Sequence, residues 1–287
     1  MRERFVVACL FFLGFASCSS SNPDYGDQTL QKMRQYTLDR FTTIPGAVLR
    51  PVTASFEDYD IQFGVSRLKV ILYAYESLSL VNACISQFEI TPDSGRYMDF
   101  TFVIRPNADV RAPLIHGDAL ATSFSMDLYN VNPSSVNVAA FLGERIEKIN
   151  QGLDLAQQYQ RKPPEEGGDR GKYTPHLDPY KSPYRIELEK PETDDPEEQQ
   201  RYWDTVYEVL TLYLSAFLES IESLPAEDNE TLIQGNIAGI DTFITTLWEK
   251  DFVVPMGKMM FKDDMELYFL DAFWRKGVYF SDVSQKQ

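Results

Sequence analysis

The chain has 287 residues, of which 44% are hydrophobic and 13% aromatic, a composition that supplies a full core and rules out disorder of the whole chain. Its formal net charge of −16 repels phosphate backbones and anionic lipid heads, which argues against nucleic acid as a partner. Two His and three Cys, two of the latter accounted for below, are too few for a closed zinc site.

Arg2 and Arg4 precede an apolar run, Phe5 to Phe15, that is too short to cross a bilayer as a stable helix. The run closes on Phe15-Ala16-Ser17-Cys18, and small residues before a cysteine are what lipoprotein signal peptidase requires. Residues 1–17 are therefore expected to be a lipoprotein signal peptide, Cys18 the lipid-carrying first residue, 18–28 a polar tether and 29–287 a single domain. An ordinary secretory leader and a bipartite plastid leader are the alternatives. Losing residues 1–17 leaves 270 of 287, and without Arg2, Glu3 and Arg4 the charge of −16 becomes −17. Cys9 leaves with the leader and Cys18 is acylated, so Cys84 stands alone and no intramolecular disulfide forms. At least two acyl chains, at about 0.8 kcal/mol per buried CH₂, would hold the protein on a membrane of the cell envelope. Ser19 after Cys18 favours sorting to an outer membrane.

Along the rest of the chain, Leu30, Met33, Leu38 and Phe41 predict a helix over 27–42. Short alternating or β-branched runs predict strands at 47–56, 70–75, 85–90, 97–105 and 119–129, although the run around Val70 fits a helix equally well. A helix is expected over 138–149, and the Pro-, Gly- and charge-rich residues 160–183 read as a long loop. From Asp195 to Glu222, Trp203, Val206, Leu210, Leu214, Phe217 and Ile221 make an apolar stripe behind an acidic first turn, and further helices follow over 230–250 and 263–275. Strands in the middle and helices at both ends predict a three-layer α/β/α sandwich with a central, mostly antiparallel sheet.

No glycine-rich phosphate loop, nucleophile elbow or paired-cysteine motif occurs. The distinctive stretch is Tyr97-Met-Asp-Phe-Thr-Phe-Val-Ile-Arg-Pro-Asn-Ala-Asp-Val-Arg-Ala-Pro-Leu-Ile-His-Gly-Asp118, a strand, a proline turn and a second proline-led approach to an acid. With Ser182-Pro-Tyr-Arg-Ile-Glu-Leu188 and the closing Phe261-to-Trp274 segment, it resembles the ferredoxin-dependent bilin reductases over roughly residues 30–275. The resemblance implies that Asp118 donates a proton to a biliverdin-like linear tetrapyrrole, with Glu89 and Asp251 as assisting acids. It also implies electrons from reduced ferredoxin and no bound cofactor. Thr101 stands where one branch of the family has a pocket histidine, His116 follows Ile115 where the family has an apolar residue and glycine, and Phe261-Lys262 replaces a phenylalanine-glycine turn. Arg105 and Arg111 are near enough in sequence to meet the bilin propionates. Positioned acids suit such chemistry, because single-electron reduction of a tetrapyrrole needs protons delivered at chosen carbons. A carboxyl group in an apolar cleft near other carboxylates is held partly protonated near neutrality.

Each residue also has an ordinary reading: Asp118 a turn residue, Glu89 an outward strand residue, Asp251 a helix-end acid, His116 a surface histidine and His176 a loop residue. Three functions stay open: a bilin reductase-like enzyme, a non-catalytic tetrapyrrole- or apolar-ligand-binding lipoprotein, and a structural or adhesive lipoprotein. Export and a charge of about −17 sit poorly with an acidic, intracellular ferredoxin as donor.

Overall fold

A computed structural model describes residues 25–50, 59–63, 66–77, 79–91, 97–134, 136–161, 175–251 and 253–279. The leader, Cys18, the expected strand residues 51–56 and most of the long loop fall outside them.

Helix α1 spans Tyr25–Thr42 and buries Leu30, Met33, Thr37 and Phe41. The five-residue step from Met33 to Leu38 is resolved by Thr37, which occupies the core-facing position because its hydroxyl donates to Met33 O at 2.9 Å. Strands follow as β1 (Val48–Leu49), β2 (Tyr59–Phe63), β3 (Ser66–Glu76), β4 (Leu80–Thr91), β5 (Tyr97–Pro106), β6 (Leu114–Leu120), β7 (Ser123–Tyr129) and β8 (Ile186–Glu189). They form one eight-stranded sheet ordered β1-β3-β4-β5-β6-β7-β8, with β2 also on β3, and every pairing is antiparallel.

Both faces of this sheet are covered. Ile85, Phe100, Phe102, Ile104, Phe124, Met126 and Leu128 face α1 and the helices that follow β7, whereas Val70, Leu72, Cys84, Val103, Leu114 and Tyr129 face the C-terminal helices. Strands buried on both sides lose the alternation of polar and apolar residues, which is why the run around Val70 has no diagnostic period. Cys84 is a free, buried thiol whose pKa burial pushes up.

The region expected as one strand over 119–129 is two, β6 and β7, joined by a tight turn at Ala121 and Thr122. Asp99 of β5 stabilises that turn by accepting the Ala121 N–H at 2.8 Å. The helix expected over 138–149 is also two, α2 (Val138–Leu142) and α3 (Ile146–Ala156), divided at Gly143, whose φ of 52° only glycine adopts freely. Helix α4 spans Pro196–Glu222, with Asp195 capping Glu197 N at 3.0 Å and proline in its first turn. Helix α5 spans Glu230–Lys250, capped by Asn229, and α6 spans Val253–Phe261. The α-helix expected over 263–275 is instead a 3₁₀ turn, Lys262–Asp264, followed by a π-helix, Leu267–Phe273. Lys262 at φ 51° breaks the path, and the wider π turn brings Tyr268, Phe269, Ala272 and Phe273 together against the sheet. Among the described residues, no helix is long and apolar enough to cross a membrane.

Candidate functional site

Antiparallel register decides which side chains share a face, because directly opposed residues point the same way. Ser86 opposes Thr101, Thr101 opposes Asp118, and His116 opposes both Val103 and Asp127. Together these put a polar row, Ser86, Thr101, His116, Asp118 and Asp127, on the face under α5, α6 and the π-helix. Gly117 lies between the two site residues of β6 and faces the other way, where a Cβ would come within 2.4 Å of Phe102 Cε1.

His116 Nε2 is 3.1 Å from Thr101 Oγ1 and 3.6 Å from Asp118 Oδ1, so one ring nitrogen is placed between a hydroxyl and a carboxylate. Its ring is walled by Trp274 at 5.4 Å, Phe273 at 6.2 Å and Tyr129 at 6.4 Å between centroids. On the same face of the sheet, buried Tyr268 stacks on Phe261 at 4.3 Å and donates its hydroxyl to Ser86 Oγ at 2.8 Å. Burial pushes the phenols of Tyr129 and Tyr268 up, and the charge of Asp118 adds to both effects.

Asp251 caps the C-terminus of α5 and accepts the Val253 N–H at 2.9 Å. Its second oxygen is 3.8 Å from His176 Nε2. Burial raises the Asp251 pKa against the lowering effects of the Val253 hydrogen bond and of His176, and Asp118 and His116 act on it as well. Two carboxylate–imidazole pairs therefore share one electrostatic neighbourhood. The side chain of Asp118 is the most open, 35% exposed, against 19% for His116, 13% for Asp251 and 12% for His176. Asp118 is thus the most accessible of the four, and the Asp251 pair is the more enclosed.

Two further acids are perturbed. Asp127 is buried and accepts from Ser182 Oγ at 2.7 Å and Ser182 N at 3.3 Å, and burial still pushes its pKa up to about 6. Asp99 is likewise raised to about 6, by burial first, with Asp27 and Asp118 adding to the effect.

Of the residues singled out in the sequence, the fold brings Thr101, His116, Asp118 and Asp251 together. Glu89 lies on the opposite face, where its carboxylate accepts from Gln87 Nε2 at 2.6 Å, and Phe88 and Ser86 take the cleft-facing positions of β4. Arg105 is fully buried and donates to the carbonyls of Trp274, Arg275 and Val278, so it clips the C-terminal segment rather than facing a ligand. Arg111 pairs with Glu227 beside the α4–α5 connection. Arg185, whose charge reaches Asp127 and Tyr129, pairs with Glu187 of β8 and was not pointed out by the sequence. His176, Ser86, Asp127 and Tyr268 were also missed. Only Asp127 had a signal, because Ser125, Asp127 and Tyr129 alternate with apolar residues. Among the described residues, no three His, Cys, Asp or Glu side chains are grouped to hold a metal ion.

No family model matches the chain, and neither does any curated protein. Among solved structures, phytochromobilin synthase from tomato in complex with biliverdin matches with a TM-score of 0.59 and 14% identity, over 86% of this chain and 85% of that one. The two chains share a fold. At this identity the likeness extends to the layered architecture alone.

Proposed function

We propose that the protein binds a linear tetrapyrrole of the biliverdin class between the β5–β6 face of the sheet and the C-terminal helices, and reduces it with Asp118 as the proton donor. The observation that carries this reading is the pairing of Asp118 with His116 on β6, within electrostatic reach of Asp251 at the end of α5 and against a wall of aromatic rings. Rings stack on a conjugated ligand, while the acids supply protons that single-electron donors cannot. Asp118, the most accessible of them, meets the ligand, and His116 returns its proton. Arg105 is not available to the propionates, because its guanidinium is committed to backbone carbonyls, and Arg185 would meet them only by exchanging its ion pair with Glu187 for theirs. The resemblance of the sequence to bilin reductases and the fold shared with a biliverdin-bound enzyme both support this assignment.

The electron donor in this reading is a one-electron carrier such as reduced ferredoxin. Because the chain itself carries −16, an acidic carrier is steered poorly, and its rate of reduction should rise with ionic strength. A second reading is a binder that holds the same ligand without reducing it, and it is favoured by Thr101 in place of the pocket histidine. The leader motif ending at Cys18 further supports anchoring of the mature chain by lipid at a membrane, which mass measurement of the protein purified from cells would test.

Binding is tested by adding biliverdin to the purified protein at micromolar concentrations and recording the visible spectrum. A saturable shift of the bilin bands is expected. Unchanged bands would sink both readings.

A further inference from the structure

We propose that His176 is the positioning residue for Asp251, so that the cleft carries two carboxylate–imidazole pairs and delivers protons to one bound tetrapyrrole at two places. This rests on the function proposed above and adds a residue from outside the sheet and helices.

One Asp251 oxygen accepts the Val253 N–H at 2.9 Å, and the other lies 3.8 Å from His176 Nε2, at ion-pair rather than hydrogen-bond distance. Buried His176 Nε2 makes no hydrogen bond, so the Asp251 carboxylate is the acceptor it faces. The turn that carries the ring, Pro175–Leu177, is itself anchored. Leu177 is buried, Tyr180 N donates to Leu177 O at 2.9 Å, Asn130 N donates to Tyr180 O at 2.8 Å, and the Tyr180 ring lies 5.1 Å from Phe243. The turn that carries the imidazole is thereby anchored to β7 and α5. The groups that act on Asp251 are the Val253 N–H from α6, His176 from that turn, and Asp118 and His116 from β6 through their charges.

Reduction of one double bond of the tetrapyrrole takes two electrons and two protons. The electrons come from two molecules of a reduced iron–sulfur carrier, which are oxidised. One proton leaves Asp118 and one leaves Asp251, each forming a bond to the ligand. His116 and His176 then return protons taken from solvent, which restores both carboxylic acids.

The Asp251 carboxyl group is followed by ¹³C NMR titration in the ligand-free protein, with Asp251→Asn assigning its resonance. His176→Gln should raise the midpoint by about half a pH unit or more, because a cation that favours the carboxylate has been removed. With biliverdin and reduced ferredoxin under anaerobic conditions, the alkaline limb of the rate profile should move up by the same amount, with affinity for biliverdin within about twofold of the parent. His176→Lys, which keeps a cation, should return both towards the parent. An unmoved midpoint overturns the pair, and a moved midpoint with an unmoved limb overturns its part in the reaction. If His176→Gln does not fold, Asp251→Asn decides from the other side, because the ring ¹⁵N resonances of His176 should shift more than those of His116, and equal or absent shifts overturn the pair. Should the parent protein bind no biliverdin while the Asp251 midpoint still moves in His176→Gln, the proposed function fails and the coupled pair survives.

Discussion

Replacing Gly117 with alanine would place a methyl carbon 2.4 and 2.7 Å from two ring carbons of Phe102, where ordinary contact needs about 3.4 Å or more. Phe102 is fully buried and packs in the core under α1 and α4, so it cannot retreat towards solvent. The φ of Gly117 is not in the left-handed region, so alanine suffers no backbone strain and even restricts the unfolded chain, a gain of about 0.4–1 kcal/mol. Overpacking of about 1–3 kcal/mol outweighs that gain, leaving a net loss of roughly 1–2 kcal/mol. The strain is expected to spread to the site, because Gly117 is flanked by His116 and Asp118 and its carbonyl accepts from Thr101 Oγ1 at 3.3 Å. Urea unfolding of Gly117→Ala, Phe102→Leu and the double variant measures the effect. Phe102→Leu alone costs roughly 1–2 kcal/mol in lost burial, but in the double variant the methyl group fills the vacated space, so the two losses should fall short of additivity by about 1 kcal/mol or more. Additive losses, or a Gly117→Ala variant within about 0.5 kcal/mol of the parent, would refute the close approach of Gly117 to Phe102.

Other perturbations test other parts of the structure. Arg105→Met removes charge-assisted hydrogen bonds to three backbone carbonyls of residues 274–278 and should cost about 2–4 kcal/mol, with hydrogen exchange accelerated first in residues 272–279. Unchanged protection there would show that the clip is dispensable. Burial pushes the Asp127 pKa up to about 6 in the folded chain from an ordinary 3.8, so the folded state holds a proton that the unfolded state lacks between those pH values. Its carboxylate is therefore a cost at neutral pH that is relieved as the pH falls through about 6 and is fully gone near 4, worth on the order of 3 kcal/mol. Asp127→Asn should lose that part of the pH dependence of urea stability between pH 4 and 7, and a curve parallel to the parent's would contradict the assignment. Asp99, raised for the same reason, should contribute in the same direction, so Asp99→Asn should flatten the curve further.

How much was legible in the sequence depended on whether neighbours along the chain or across the fold set the outcome. Helix α4 was readable because thirteen of its residues are buried at helical spacing behind an aspartate cap and a proline, all local signals. The division of residues 114–129 into two strands was not, because the turn at Ala121-Thr122 has no glycine, proline or asparagine and is fixed by a side chain from another strand, Asp99. The π-helix was equally hidden, since its register is set by packing of Tyr268 and Phe273 on the sheet rather than by its own propensities. In the site, Asp118 and Asp251 were singled out through a family resemblance, and in the structure both add their charge to the environment of Tyr129. Glu89 was misplaced because a shift of one residue along a strand moves a side chain to the other face, so the position of an acid in a linear pattern does not fix its side of the sheet. His176 carried no signal, since nothing in a polar loop indicates which helix end it will meet.

The central claim is that Asp118 protonates a bilin held on this face of the sheet. Its most direct test is anaerobic single-turnover reduction of protein-bound biliverdin by reduced ferredoxin, followed in the visible spectrum for the parent and for Asp118→Asn. The parent should convert the bilin bands to those of a reduced product, while Asp118→Asn should bind biliverdin with affinity within about threefold of the parent and slow conversion by about 10²-fold or more. Conversion by Asp118→Asn at the parental rate would contradict the account.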